Sequence, residues 1–280
     1  MTSGLSEDGH PRGPSGLPVG DLLRTGPVTV DVATPSRALA VGAHPDDIEF
    51  GCATTLAKWA AHGCQVHYLV LTDGSKGSWD PDADLNELVT ARQSECRAAA
   101  CVVDGREIGS ELPDDRIFFL GRTDGELENG ADERRAVARV IRQVRPAVLL
   151  GHDPWRRYRL HPDHRAAGEI TIGAMVAARD PHFFPELGLT PHRPDALLLW
   201  EADQPNHVER ADGYESTKVD ALLCHHSQFE STMGMGPDLA QRSSSGARRE
   251  FEAKVRHQLA DHGSLAGLWS GEAFHLMNEI

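Results

Sequence analysis

The sequence predicts an α/β protein with a mostly parallel sheet flanked by helices and a less regular C-terminal part. From residue 37 onward, short apolar segments alternate with amphipathic helical segments, a pattern typical of right-handed βαβ crossovers. His and Asp side chains follow two of the apolar segments, at residues 43–47 and 161–164. Open α/β sheets bind ligands at the carboxyl ends of their strands, so this placement agrees with the predicted fold.

The first predicted elements form two strand–helix pairs. The apolar stretch at residues 37–43 predicts a strand, and residues 51–62 have the spacing of an amphipathic helix. The segment QVHYLVLT at residues 65–72 is rich in β-branched and aromatic residues and predicts a second strand. An Ala-rich helix is expected at residues 85–101.

The alternation continues through the middle of the chain. A short strand at residues 116–120 precedes a helix at residues 132–144. Residues 146–151 are nearly all apolar, as expected of a strand that is buried on both faces. The next helix is predicted at residues 163–178.

The pattern loosens in the last third of the chain. The predicted elements there are strands at 195–201, 207–210 and 272–277, and helices at 214–226 and 247–261. The polar segment 228–245 holds Gly, Met, Pro and a Ser triplet. A loop of this length in a compact domain is usually functional or disordered, and we expect it to cover the substrate or to lack order.

Residues 1–34 and 35–280 differ in composition. The first segment is rich in Gly, Pro and Ser, and it predicts an arm that is flexible or ordered only by packing on a neighbour. The remainder is expected to form a single domain, since 280 residues suffice for one large domain. The arm and the weakly patterned C-terminal third are both suited to form an interface in a homo-oligomer.

Composition and charge exclude several classes of protein. A net charge of −14 is unsuited to a broad nucleic-acid surface. No apolar run approaches the ~20 residues of a membrane span, and the N-terminus lacks the pattern of a secretory signal. The five cysteines are odd in number and form no CxxC pair, which favours reduced thiols and a cytoplasmic location.

The two His/Asp stretches together predict a metal site. His44 and Asp47 follow one strand, and His164 lies near the start of a later helix. Zinc accepts His nitrogen and carboxylate oxygen, and catalytic zinc sites keep a position open for water that then attacks at neutral pH. Fe(II) also accepts two His and a carboxylate. A single HPDD could be a capped turn, but two such stretches favour a metal.

Further polar residues beside these ligands suggest catalytic and orienting roles. Asp46 would either bind the metal as well or take a proton from water. His161 could donate a hydrogen bond to an oxyanion or protonate a leaving amine. Asp153 and Asp163 are equal candidates for orienting His161 or His164.

The same residues carry a resemblance to a known family. The segment GAHPDDIEFG at residues 42–51 resembles the opening motif of the LmbE-like (PIG-L) N-deacetylases, and HPDHRA at residues 161–166 is similar to their second motif. Weaker matches include residues 92–95, 124–125 and 225–228. The resemblance spans about residues 37–276 and implies a Rossmann-like sheet and zinc-dependent hydrolysis of an N-acetyl group on an N-acetylglucosamine unit.

The resemblance also implies roles for individual residues. It makes His44, Asp47 and His164 metal ligands, with Asp46 as general base and His161 as general acid or oxyanion partner. Further residues match positions at which family members contact the substrate. These residues are Arg92, Asp124 and His225. An Arg92–Glu95 salt bridge and a helix-dipole contact of His225 are competing interpretations.

Three functions are compatible with this set of residues. The first is removal of an acetyl group from a small amino-sugar substrate. The second is cleavage of a larger N-acyl or thiol-conjugate amide beside an amino sugar, with the same site. The third is a noncatalytic sugar-binding module. No GxGxxG motif follows the first strand and no GxSxG motif is present, which disfavours a dinucleotide enzyme and a serine hydrolase.

Overall fold

The computed structural model describes residues 27–107, 109–110, 112–236, 245–278 and 280. The strands in this part of the chain are β1 (Thr29–Val30), β2 (Arg37–Gly42), β3 (Gln65–Thr72), β4 (Ile117–Arg122), β5 (Val148–His152), β6 (Ala196–Trp200), β7 (His207–Arg210) and β8 (Gly271–Met277). The α-helices there are α1 (Asp47–Ala61), α2 (Leu85–Val103), α3 (Ala131–Val144), α4 (Pro162–Arg179), α5 (Glu215–Leu222) and α6 (Ser245–Ser264).

All eight strands belong to one sheet, in the order β1-β7-β8-β6-β5-β2-β3-β4. Strand β8 is antiparallel to both of its neighbours, and every other pair of adjacent strands is parallel. Helices cover both faces of this sheet. The predicted α/β fold with a mostly parallel sheet is therefore confirmed.

The core consists of two apolar layers, one on each face of the sheet. In β2, Ala38 and Ala40 pack toward one layer while Leu39 and Val41 pack toward the other, because successive strand residues point to opposite faces. Helices α1, α2 and α5 contribute to the first layer, and α3 and α4 to the second. The strand is buried from Ala38 to Gly42, as its apolar sequence predicts.

Strands β2 and β5 lie side by side in the sheet, and this pairing determines where the site forms. The chain leaves β2 through α1 toward β3 on one side, while β5 pairs with β2 on the other. The carboxyl ends of both strands therefore meet at one edge, where the crossovers diverge and a crevice forms. The two His/Asp stretches emerge at this edge.

Some predicted elements have different bounds in the structure. Helix α1 begins at Asp47 rather than at residue 51, because the backbone N–H of Phe50 already donates to Asp46 O at 3.0 Å. Strand β1 pairs with β7 and belongs to the segment expected to be an arm, of which residues 1–26 lie outside the described residues. Helix α5 ends at Leu222, four residues before the predicted end, and a 3-10 turn follows at His226–Gln228.

The C-terminal part supplies β8, α6 and one side of the crevice. A third apolar cluster joins α5, α6 and the segment around Met233 and Met235. Residues 237–244 of the expected covering segment lie outside the described residues. No helix in the described part of the chain combines the length and apolar character needed to cross a membrane.

Candidate active site

A cavity of about 470 Å³ opens at the carboxyl edge of the sheet. All five residues predicted for metal binding and catalysis line it, and so do Arg92 and Asp124. Gln228, Ser231 and Thr232 contribute neutral polar groups to its lining. The cavity is large enough for a small-molecule ligand.

Three side chains at the base of the cavity converge on one point. His44 Nδ1 lies 3.1 Å from His164 Nε2, and Asp47 Oδ1 lies 3.2 Å from the same His164 atom. Asp47 Oδ2 is 3.4 Å from His44 Nδ1. A tetrahedral ion with bonds of about 2.0–2.1 Å keeps its ligands about 3.3–3.4 Å apart. These three side chains therefore have the spacing of a divalent cation's ligands. Each of them also belongs to at least one His/Asp group of the described residues that could hold a metal ion, such as Asp47 with His152 and His164.

The imidazole of His44 is held from its far side by two carboxylates. His44 Nε2 lies 3.1 Å from Asp124 Oδ1 and 3.2 Å from Asp163 Oδ2. Burial alone would lower the pKa of His44, but the carboxylates of Asp124, Asp163 and Asp47 raise it well above its usual value. Because Nε2 faces two acceptors, it carries a proton, and Nδ1 is the ring nitrogen directed at the convergence point.

Asp163 is itself fixed by the backbone. Its Oδ2 accepts from the N–H of Gly125 at 2.6 Å, and its Oδ1 accepts from the N–H of Leu127 at 3.2 Å. Asp153 lies elsewhere, since its two oxygens accept from the N–H groups of Trp155 and Asp203. Asp163 therefore contacts the ring of His44 rather than His161 or His164, the rings it was predicted to orient. Asp153 holds two loops together instead.

Asp46 occupies an unusual backbone conformation at the start of α1. Its φ of 115° lies in the region that favours glycine, so the residue is strained. Burial raises the pKa of Asp46 to about 6, and the negative charge of Asp47 adds to this effect against the opposing charge of Arg92. The side chain lines the cavity beside the metal-binding group.

Arg92 reaches the site from α2 and is fully enclosed. Its Nη2 donates to Pro45 O at 2.6 Å and lies 3.4 Å from Asp46 Oδ1, while Nη1 donates to Gly74 O. The competing Arg92–Glu95 salt bridge is not observed, because Glu95 accepts from the backbone and the hydroxyl of Ser227. Arg92 thus packs against Asp46 and lines the cavity.

His161 lies at the open side of the cavity, immediately before α4. Its ring is 4.6 Å from that of His44 and 5.0 Å from that of His164, measured between centroids. Partial burial lowers the pKa of His161, and the positive charges of His44 and His164 lower it further. A neutral imidazole at this position can donate or accept a hydrogen bond.

His225 lies behind the site and not in it. Its side chain is fully buried, and its Nε2 is 3.4 Å from Glu49 Oε2. Burial alone would lower the pKa of His225, but Glu49 raises it above its usual value. The ring is not among the residues that line the cavity, so the structure gives no support to the predicted contact with substrate.

Four residues in or beside the site were given no role in the predictions from sequence. His152 Nε2 lies 3.1 Å from Asp47 Oδ2, and the indole N–H of Trp200 donates to His152 Nδ1 at 3.0 Å. Arg159 contacts both His164 and Glu201. The available signal was positional: His152 ends β5, Trp200 ends β6 and Glu201 follows it, at the same sheet edge as the motifs.

Comparison with known proteins places this site in a family. The family model described as PIG-L, GlcNAc-PI de-N-acetylase, matches residues 39–175. A diacetylchitobiose deacetylase of Thermococcus kodakarensis is 33% identical over 196 residues, which cover 69% of this chain and 70% of that protein. A 1D-myo-inositol 2-acetamido-2-deoxy-alpha-D-glucopyranoside deacetylase of Streptomyces avermitilis is 35% identical over 173 residues, or 54% of this chain and 57% of that protein.

The same relationship holds for the three-dimensional structure. The N,N'-diacetylchitobiose deacetylase of Pyrococcus horikoshii, solved in complex with an inhibitor, matches with a TM-score of 0.74 and 25% identity. The match covers 87% of this chain and 84% of that one. The chain therefore belongs to the PIG-L (LmbE-like) family, as its two His/Asp motifs predict.

Proposed function

We propose that this protein is a metal-dependent N-deacetylase that acts on a small molecule containing N-acetylglucosamine. One observation carries the proposal. His44, Asp47 and His164 converge to within 3.4 Å in a cavity that Asp46 and His161 also line. The names of the relatives supply the substrate class, since both act on acetylated amino sugars.

The metal would be held by His44, Asp47 and His164. The ligand spacing and the mixed N/O donor set favour zinc, although Fe(II) accepts the same donors. When bound, such a cation polarises the acetyl carbonyl and makes water acidic enough to attack near neutral pH. The carboxylates of Asp124 and Asp163 keep His44 in the tautomer that offers Nδ1 to the cation.

Asp46 is the proposed general base. Its carboxylate lines the cavity and is adjacent in sequence to the ligand Asp47, so it lies where the attacking water must bind. Arg92 contacts Asp46 and the backbone of Pro45, and it thereby fixes the strained turn that aims this carboxylate. Asp46 takes the proton of the water as the new carbon–oxygen bond forms.

His161 is the proposed partner of the oxyanion and of the leaving amine. Its ring lies over the imidazoles of His44 and His164, on the open side of the cavity. From there it can donate a hydrogen bond to the tetrahedral oxyanion. The carbon–nitrogen bond then breaks, the amine takes up the proton removed from water, and acetate is released.

The test is acetate release by the zinc-loaded full chain. We expect acetate from N,N'-diacetylchitobiose or from an N-acetylglucosaminyl inositol, and loss of both bound zinc and activity in His44→Ala. A variant at the exposed His257 should retain both. Wild-type protein that binds zinc but releases no acetate from any N-acetylglucosaminide would refute the proposed reaction. Faster cleavage of longer acyl amides would favour the alternative amidase.

We also propose a cytoplasmic location for the protein. All five cysteines are buried and unpaired, which suits a reducing compartment. Fractionation of the native host followed by immunodetection tests this location. Sedimentation of the purified protein determines whether it forms the homo-oligomer that the sequence allows.

A further inference from the structure

A line of three buried side chains connects strand β6 to the proposed metal ligand Asp47. The indole Nε1 of Trp200 lies 3.0 Å from His152 Nδ1, and His152 Nε2 lies 3.1 Å from Asp47 Oδ2. Trp200 is 1% and His152 is 2% exposed. Neither residue belongs to the two motifs, and Trp200 does not line the cavity. Trp200 reaches the site through His152, whose Nε2 faces Asp47 and whose ring also stacks on that of His164 at 4.5 Å between centroids.

The chemistry of the three groups fixes the direction of both hydrogen bonds. An indole N–H can only donate, so His152 Nδ1 is the acceptor and His152 Nε2 carries the ring proton. That proton points to Asp47 Oδ2, which accepts it. Two competing contacts are longer: Ala43 N lies 3.5 Å from Nε2, and Glu201 Oε2 lies 3.6 Å from Nδ1. Both contacts are too long to change the assignment of the ring proton of His152 to Nε2.

The fold holds Trp200 in one place. It is paired in register with His152 across the parallel strands β5 and β6. Its indole also packs on Gly51, where an added Cβ would approach the ring to 2.5 Å. Gly51 lies one turn after Asp47 in α1, so the indole contacts both the imidazole that binds the carboxylate and the helix that carries it.

The carboxylate of Asp47 is thus held from outside the metal-binding group. His152 and the backbone N–H of His44 both donate to Oδ2, the latter at 2.7 Å. Oδ1 remains directed at His164 Nε2, at the convergence point. A ligand oriented in this way loses less conformational entropy when it binds a cation.

We propose that Trp200 and His152 are positioning residues that orient Asp47 for metal binding, with Trp200 selecting the tautomer of His152. This inference rests on the proposed metal site. It predicts that removal of the indole N–H weakens zinc binding although Trp200 touches neither metal nor substrate. Loss of such an outer hydrogen-bond partner typically reduces metal affinity about 10- to 100-fold.

The test compares two Trp→Phe variants of the full chain. Trp200→Phe keeps an aromatic ring but cannot donate to His152. Trp59→Phe is the matched control, because Trp59 is fully buried in the same apolar layer and its indole nitrogen has no hydrogen-bond partner. Zinc affinity is measured by competition with a chromophoric chelator, and thermal stability is measured on the metal-free proteins.

We expect Trp200→Phe to raise the Kd for zinc about 10- to 100-fold and Trp59→Phe to leave it unchanged, whatever their effects on melting temperature. A pair of variants at His152 gives a second measurement. Gln can place a donor near the Nε2 position, so His152→Gln should bind zinc more tightly than His152→Phe.

Each outcome identifies which statement fails. Wild-type protein without measurable zinc affinity would refute the proposed metal site itself. If wild-type protein binds zinc and Trp200→Phe binds it equally well, the metal site stands and the positioning role is wrong. Equal losses of zinc affinity in Trp200→Phe and Trp59→Phe, or in both His152 variants, would mean that altered packing, and not the lost hydrogen bond, weakens binding. That result would also overturn the inference.

Discussion

Two adjacent aspartates at the start of α1 have opposite electrostatic environments. Burial raises the pKa of Asp46 to about 6, and the charge of Asp47 contributes. Burial acts on Asp47 in the same direction, but the imidazoles of His164 and His152 outweigh it and hold its pKa well below the usual value. One carboxylate is thus suited to exchange protons and the other to remain charged, which is the division of roles expected of a base beside a metal ligand.

This division predicts separate consequences for substitutions at the two positions. Asp46→Asn should lower kcat for acetate release about 10²- to 10⁴-fold, because the amide cannot take the proton of the attacking water. Its zinc content should stay at the wild-type level, since the ligand Asp47 is intact. Asp47→Asn should lose zinc as well. Activity assays combined with metal analysis distinguish the two cases, with the exposed Asp115→Asn as control.

Either of two results would disprove the proposed role of Asp46 as general base. If Asp46→Asn lost zinc to the same extent as Asp47→Asn, Asp46 would be a further ligand, the alternative that the sequence left open. If it kept both zinc and full activity, the base would have to be another group.

At the scale of the element, α1 is interrupted one turn after it begins. Cys52 has non-helical dihedral angles, φ −152° and ψ 20°, so the helix restarts at the next residue. Glu272 of β8 replaces the missing helical bonds, since its carboxylate accepts from the N–H groups of Thr54 and Thr55. Lys218 of α5 pairs with Glu272 at 2.7 Å and donates to Phe50 O, on the other side of the interruption.

This buried pair therefore determines the direction of the first turn of α1, which carries Asp46 and Asp47. Glu272→Gln should lower the free energy of unfolding by about 3 kcal/mol, because it leaves the Lys218 ammonium buried without its counter-charge. Urea denaturation measures this loss. The exposed pair of Glu250 with Lys254 supplies the control, and Glu250→Gln should change stability by less than about 0.5 kcal/mol.

The difference in unfolding free energy between wild type and Glu272→Gln should depend on pH. Burial raises the pKa of Glu272, but Lys218 and Thr55 outweigh it and hold the pKa below the ordinary 4.5. A carboxyl whose pKa is lowered by folding stabilises the folded state fully above its unfolded pKa and loses that effect as the pH falls through the folded value. The gap between wild type and Glu272→Gln should shrink below about pH 4.5. A constant gap would contradict the charge-based account.

At the scale of the whole molecule, the motifs were predictable because each is a short stretch that follows a buried strand in the chain. His44, Asp46 and Asp47 follow β2 directly, and the helix with His164 follows β5. The Trp200–His152 bond was not predictable, since it joins side chains 48 positions apart through a strand register that the sequence does not specify. His225 shows the opposite case. It lies in a segment that matches the family pattern, but in the structure its ring is buried against Glu49.

The proposed metal ligands lie on chain segments that only the folded sheet brings together. His44 and Asp47 follow β2, whereas His164 lies in α4 after β5, so the unfolded chain holds no comparable site. A cation that binds only the folded state stabilises it by about 2.7 kcal/mol at a free concentration 100 times its Kd. For a chain of this size we expect zinc to raise the melting temperature by about 5 °C, and a chelator to reverse the rise. His164→Ala should abolish the shift while His257→Ala retains it, and a shift of equal size in His164→Ala would mean that zinc stabilises the protein from another place.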